Sequence, residues 1–192
     1  MGIAVQKDDL RRRGYAARKT QQDKETLSRQ ACDTLIKLPE YRNSNTVLWY
    51  LDQRTELRTR HAIPAALASG KRVTIPYCVG NELHLWWLHG LDELVSGSYG
   101  ILEPPAHRWN DRARAMDVKQ LDLIIVPGVG FDRQGHRLGN GQGYYDRLLT
   151  RAGPDTLFIA LCYESQIFDE IPVTPNDVSM HMIITGKHIY TS

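Results

Sequence analysis

The sequence predicts an α/β fold: a single domain over residues 1–192, with a mainly parallel central sheet and helices on both faces. Three observations lead there. Segments rich in β-branched and aromatic residues alternate with segments of helical periodicity. The run Leu121 to Pro127 (LDLIIVP) is nearly continuous and apolar, as strands covered on both faces are. A chain of 192 residues, 42% hydrophobic and 24% charged, is of a size and make-up to bury one core.

The elements follow in order. A first helix is expected from about Lys7 to Arg18. A second starts near Asp23, repeats Leu27, Ala31, Leu35 and Leu38 at helical spacing, and stops at Pro39. Thr46 to Leu51 (TVLWYL) reads as a buried strand. Thr59 to Ser69 is expected as a helix with Gly70 as its stop. Arg72 to Pro76 and Leu83 to Leu88 (LHLWWL) are further strands; Trp86 and Trp87 face opposite ways, so at least one belongs to the core. Residues 96–118 form a long excursion with Gly97, Gly100, Pro104 and Pro105 among polar residues, and such loops are functional or mobile. Leu121 to Pro127 leads into a glycine-rich loop, then a short helix from about Gly143 to Arg151. Leu157 to Cys162 and Met182 to Thr185 complete the strands.

Composition excludes several classes. Cys32, Cys78 and Cys162 are scattered and form no Cys-x-x-Cys pair, so a disulfide framework or zinc site is not expected. The seven histidines show no close ligand spacing. Neither a secretory signal nor a membrane span is expected, and a reducing, cytoplasmic setting fits the cysteines. Residues 1–30 hold eight Lys/Arg against four acids, so that segment carries +4 and the remainder −2. A local positive patch on a near-neutral chain suits a small polyanion better than a nucleic acid.

The chemistry concentrates in Gly128 to Arg147 (GVGFDRQGHRLGNGQGYYDR), at the carboxyl end of the strongest strand, where open α/β sheets place ligands. Gly139, Gly141 and Gly143 alternate, so backbone amides can approach a phosphate unobstructed. Arg137 and Arg147 bracket the loop and can reach a phosphate chain from either side. Asp146, in the first turn of the following helix, is a candidate ligand for Mg²⁺ carried by phosphates. The spacing is neither a Walker A loop nor a dinucleotide fingerprint. A glycine cluster here is also a plain tight connection in many folds, and Asp146 also suits a helix cap.

The run Phe131-Asp132-x-x-Gly135-x-Arg137-Leu138-Gly139-x-Gly141-x-Gly143-Tyr144-Tyr145-Asp146-Arg147 resembles the signature of 5-formyltetrahydrofolate cyclo-ligases, also called methenyltetrahydrofolate synthetases. Similar elements lie in order along most of the chain: Lys7-x-x-Leu10-Arg11, the strand TVLWYL followed by Glu56 and Thr59, Gly100-Ile101 with Glu103-Pro104, and Pro175-Asn176-Asp177 before Ile183-Ile184-Thr185. The resemblance implies an α/β sandwich and a reaction that turns 5-formyltetrahydrofolate and ATP into 5,10-methenyltetrahydrofolate, ADP and phosphate, with Mg²⁺.

It also implies roles. Lys7, Arg11, Arg137 and the loop Gly139, Asn140, Gly141, Gln142, Gly143 with Tyr144 and Tyr145 would hold ATP. Arg137 and Asp146 would be catalytic, and Asp146 and Asp177 would bind Mg²⁺. Glu56 would take the folate, with Tyr50, Tyr99 or Tyr144 bordering its rings. Phosphoryl transfer asks for positioning and charge neutralisation rather than a covalent nucleophile, consistent with the lack of a Ser, Cys or His constellation. A monomer without nucleic-acid or membrane partners is expected. This chain departs from the family pattern at Asn140, Gln142, Asp52, Arg58 and His181, which leaves room for a paralogue with altered substrate preference; a separate alternative is a non-catalytic sensor or interaction module that keeps the nucleotide or folate pocket.

Overall fold

The computed structural model describes residues 2–97 and 100–192. Tyr99, expected at the substrate, lies outside the described residues. Helices α1 (Ile3–Thr20), α2 (Lys24–Lys37) and the short α3 (Pro39–Asn43) precede the first strand. Then come β1 (Thr46–Leu48), α4 (Ile63–Ala68), β2 (Arg72–Val79), β3 (Glu82–Trp87) and a small pair, β4 (Val95–Ser96) with β5 (Leu102–Glu103). After β6 (Leu123–Val126), β7 (Gly130–Asp132) and β8 (Arg137–Leu138) the chain forms α5 (Tyr144–Leu149). It ends through β9 (Leu157–Leu161), β10 (Ile167–Phe168), β11 (Met182–Ile184) and β12 (Ile189–Thr191).

The described residues build a seven-stranded sheet in the order β12-β11-β9-β6-β1-β2-β3. The five inner strands are parallel; β3 and β12 close the edges antiparallel. Period-two alternation sorts the apolar residues to two faces. Leu123 and Ile125 join Val47, Ile159 and the buried stripes of α2 and α4. Ile124 and Val126 join Leu48, Ala160 and Leu148 and Leu149 of α5. The α/β class and the mainly parallel sheet with helices on both faces are therefore as expected.

Strand succession reverses between β1 and β6: from β1 the chain steps toward β3, from β6 toward β12. That reversal opens a crevice beyond the carboxyl ends of β1 and β6.

Three local expectations are corrected. The strand Thr46 to Leu51 is only three residues long, because after Trp49, whose N–H still donates to Thr74 O, the chain turns into a loop. The helix over Thr59 to Ser69 is broken into a 3-10 turn at Arg60–Ala62 and α4, since Pro64 lacks the N–H that would join them. Gly70 does end α4, at φ +80°. The glycine-rich loop after β6 is half sheet. β7 and β8 form a hairpin, and β10 adds to β7 in parallel. The buried Asp132 carboxylate pins that hairpin, accepting from the N–H groups of Gln134, His136 and Ile171. Of the adjacent tryptophans, Trp86 is fully buried and Trp87 is not.

Helix α1 crosses beyond the strand ends, against β7, β8 and the turn at Glu164–Gln166. Its buried residues are Lys7, Gly14 and Arg18. Gly14 is the point of close approach: a Cβ there would lie 2.5 Å from Val129 O. Gly14→Ala is expected to destabilise the protein by about 1–3 kcal/mol despite the better helix propensity of alanine. Chemical denaturation measures this; an unchanged midpoint would mean that α1 does not pack on Val129.

Candidate functional site

Two joined cavities occupy the crevice, of about 420 Å³ and 550 Å³, within the range of small-molecule sites. They share Arg137, Gly139, Gly143 and Asp146. The β7–β8 hairpin delivers Arg137 nearly buried to this junction. Its Nη2 donates to Asp146 Oδ1 at 2.7 Å, its Nη1 to Pro127 O at 3.4 Å, and its guanidinium lies 5.8 Å from the Tyr145 ring. The Nε of Arg137 is buried without a partner among the described residues.

The smaller cavity is polar. Lys7, Arg11, Arg137 and Arg147 face Asp146 and Asp177 across it, beside Gly139, Gly141 and Gly143. Four cations against two acids make it an anion site. Gly141 and Gly143 take φ of +91° and +67°, which only glycine adopts freely. A Cβ on Gly139 would meet Arg137 Nη1 at 2.9 Å. Arg11 donates from Nε to Gly139 O at 3.1 Å, and Tyr15 OH to Asn140 Oδ1 at 2.8 Å, so α1 holds the glycine loop. Arg147, expected to reach phosphate freely, is already committed: it donates to Gln142 O (2.9 Å) and Asn81 O (2.6 Å), tying the loop to the β2–β3 turn. The six-residue α5 adds little dipole, so the positive field comes from side chains.

Each acid already has a cation. Lys7 Nζ is 2.5 Å from Asp177 Oδ2, which also accepts from Thr174 N–H and Oγ1–H. Those bonds converge on one oxygen, as the Arg137 bond does at Asp146. Among the described residues, Asp177 Oδ1 and Asp146 Oδ2 are left for another ligand. This donor set, two carboxylates beside a phosphate-sized cavity, fits a divalent cation that takes its remaining ligands from phosphate and water. Among the described residues there is no cluster of three or more metal-ligating side chains.

The larger cavity is more apolar and ring-lined. Tyr50 and Leu51 enter from the end of β1, Tyr77 from β2, Trp109 from the long excursion, and Tyr144 and Tyr145 from α5. Asn140 and Gln142 also face this cavity rather than the smaller one. Tyr50 is anchored by its hydroxyl, which donates to Leu57 O at 3.0 Å. Burial pushes the Tyr145 phenol far up, and its oxygen has no partner among the described residues.

Glu56 is the acid of this cavity. Its Oε2 accepts from Gln53 N–H at 3.0 Å, and its Oε1 lies 3.7 Å from Arg18 Nη2. Burial raises its pKa, only partly offset by Arg18. Of the residues that depart from the family pattern, Asp52 caps the Glu56 loop through the N–H groups of Thr59 and Arg60, Arg58 pairs with Glu25, and His181 Nδ1 accepts from Phe158 N–H on β9. None of these three lines either cavity.

The sequence that builds this cationic, glycine-lined cavity and the ring-lined one beside it matches a protein-family model. The model is that of the 5-formyltetrahydrofolate cyclo-ligase family, and it covers residues 4–186. The chain belongs to this family. A probable 5-formyltetrahydrofolate cyclo-ligase of Schizosaccharomyces pombe is 30% identical over 174 residues, covering 82% of this chain and 83% of its own. The Escherichia coli cyclo-ligase is 29% identical over 176 residues, covering 89% and 94%. The solved structure of Aquifex aeolicus 5,10-methenyltetrahydrofolate synthetase superimposes with a TM-score of 0.83 at 32% identity, covering 96% of this chain and 92% of that one.

Sequence reasoning missed Tyr77, Trp109 and Pro127 in the larger cavity, and Arg18 behind it. Trp109 carried a signal in its place in a long loop, and Arg18 a fainter one in its helical spacing from Lys7, Arg11 and Gly14. The family signature names the glycine loop, not the walls that fold against it.

The Lys7–Asp177 pair has a measurable consequence. Burial pushes the Asp177 carboxyl up, but hydrogen bonds from Lys7 and Thr174 outweigh this and hold it below the usual aspartate range. A group lowered in this way contributes stability above its unfolded pKa, and that contribution is lost as pH falls through the folded value. Lys7→Met should therefore lose less Tm than the parent between about pH 5 and about pH 3. Parallel Tm curves would show the pair to be absent in solution.

Proposed function

We propose that the joined cavities convert 5-formyltetrahydrofolate and ATP into 5,10-methenyltetrahydrofolate, ADP and phosphate, the smaller holding the triphosphate and the larger the folate. Family membership makes the chain an ATP-dependent ligase of this kind. The observation that carries the assignment of sites is Arg137, buried at the junction and bound to Asp146. A junction is where the formyl oxygen and the γ-phosphate have to meet.

The formyl oxygen attacks the γ-phosphorus and ADP departs, so the formyl carbon gains a phosphate leaving group. N10 then attacks that carbon, the C–O bond breaks, phosphate leaves and N10 gives up its proton. Lys7, Arg11 and Arg137 neutralise charge on the transferring group, and the loop amides orient it. Asp146 and Asp177 would hold Mg²⁺, which when bound supplies further charge neutralisation on the phosphates. Glu56 accepts hydrogen bonds from the folate, and Tyr50 and Tyr144 border its rings. Ionised, Glu56 presents both carboxylate oxygens as acceptors.

Purified protein with Mg-ATP and 5-formyltetrahydrofolate is expected to generate the near-ultraviolet absorbance of the methenyl product. Asp146→Asn should lower turnover at least about a hundredfold with the thermal transition retained. No absorbance change under saturating substrates would refute the enzyme reading, and normal turnover of the variant would remove Asp146 from the site. We also propose a monomer in the cytoplasm; a single-chain mass in sedimentation checks the first part. The buried free thiols Cys32 and Cys162 suit a reducing compartment.

A further inference from the structure

Arg18 is a buried cation that the reaction as described does not use. It is 4% exposed, lies one helix face along from Lys7, Arg11 and Gly14, and lines neither cavity. Its Nε is buried with no partner among the described residues. Its ionic partner is Glu56, Nη2 to Oε1 at 3.7 Å. Its guanidinium also stands 5.6 Å from the ring of Tyr15, whose hydroxyl binds Asn140 in the glycine loop. A guanidinium that only docked a helix would be a poor choice, since desolvating it costs several kcal/mol and an apolar side chain would pack as well.

We infer that Arg18 is a positioning residue that acts through Glu56, holding that carboxylate in place for the folate from behind the cavity wall. The inference rests on the folate-binding role given to Glu56 above.

The surroundings of Glu56 show why a support is needed. The carboxylate is 13% exposed, and Asp52 and the buried phenols of Tyr50 and Tyr145 are its other titratable neighbours. Among the described residues, Arg18 is the cation that offsets its burial and the Asp52 charge. Among the described residues the carboxylate accepts one hydrogen bond, from Gln53 N–H on Oε2, so Oε1 depends on Arg18 or on ligand for its orientation. The backbone of Glu56 is fixed independently, by Tyr163 OH to Glu56 O at 3.1 Å. Losing Arg18 should thus change the carboxylate and leave the loop where it is.

The test compares Arg18→Gln, Arg18→Lys, Glu56→Gln and the double variant, each with KM for both substrates, kcat against pH, and a melting curve. Arg18→Gln is expected to raise KM for 5-formyltetrahydrofolate about tenfold with KM for ATP changed less than about twofold. With the cation gone, Glu56 holds its proton to higher pH, so the acid limb of kcat/KM should move upward. Arg18→Lys should fall between parent and Arg18→Gln. In the Glu56→Gln background, removing Arg18 should add little, because coupled residues are not additive.

An equal loss in both backgrounds, or an equal rise in KM for ATP, would overturn the inference. If Arg18→Gln does not fold, Arg18→Lys decides. Its single-point ammonium reaches less far, so a folate KM raised about threefold with a displaced acid limb supports the pairing, and unchanged values overturn it. Failure of the parent protein to form product would instead refute the function proposed above, which keeps the two outcomes apart.

Discussion

The structure depends on how a polar helix is held over the end of the sheet. Helix α1 buries two cations and a glycine where a packed helix ordinarily buries a row of leucines. Gly14 lets its backbone come against Val129, and that approach puts Lys7 and Arg18 out of water. A buried charge without a partner is costly, so both cations need acids in reach. Asp177 and Glu56 meet that need, and they belong to the two different cavities. Helix docking and the site therefore rest on the same contacts. Arg18 follows Lys7 by eleven positions, so a helical rise of about 1.5 Å per residue sets the two contacts about 16 Å apart, long enough for one element to brace both cavities.

Much of the sheet was legible. Leu123–Val126 is buried on both faces, so its sequence has no polar alternation to confuse with a helix, and the same holds for Leu157–Leu161. The short strands were not legible. β7, β8 and β10 hold two or three residues each, too few to show a period, and they are fixed by contacts distant in sequence, such as Asp132 to Ile171 N–H. The glycines of this segment read as loop because their spacing shows, whereas the hydrogen bonds that turn half of it into sheet do not. Thr59 to Ser69 misled for a simpler reason: helical composition outweighed a single Pro64 in the reading, and in the fold the missing N–H prevailed.

The site divides in the same way. Residues within one contiguous signature, Arg137 to Asp146, were found because backbone chemistry near a phosphate demands glycines at set positions. Lys7 and Asp177 came only through the family resemblance, and the structure places them 2.5 Å apart despite 170 residues of separation. Tyr77 and Trp109 were missed because each looks like any core aromatic until the chain is folded around the cavity. Arg18 left a faint trace: Lys7, Arg11, Gly14 and Arg18 recur at helical spacing, and a glycine within such a row marks a helix that must approach something closely. Read as a charged face, the row suggests solvent; read with its glycine, it suggests a buried interface.

The pairing of Lys7 with Asp177 and of Arg137 with Asp146 also explains how so much charge can gather without a ligand. Each pair is close to neutral, so the folded chain does not have to hold four cations together against their repulsion. In the proposed reaction the partners would exchange: Lys7 and Arg137 would turn to phosphate oxygens, and Asp177 and Asp146 would hold Mg²⁺. Such an exchange would favour a nucleotide with its cation over a bare polyanion, which would engage Lys7 and Arg137 but strand Asp177 and Asp146 beside its own negative charge. Under the proposed function, selectivity for the metal complex would need no additional residue, because the two acids that pair with the cations in the free protein would supply it.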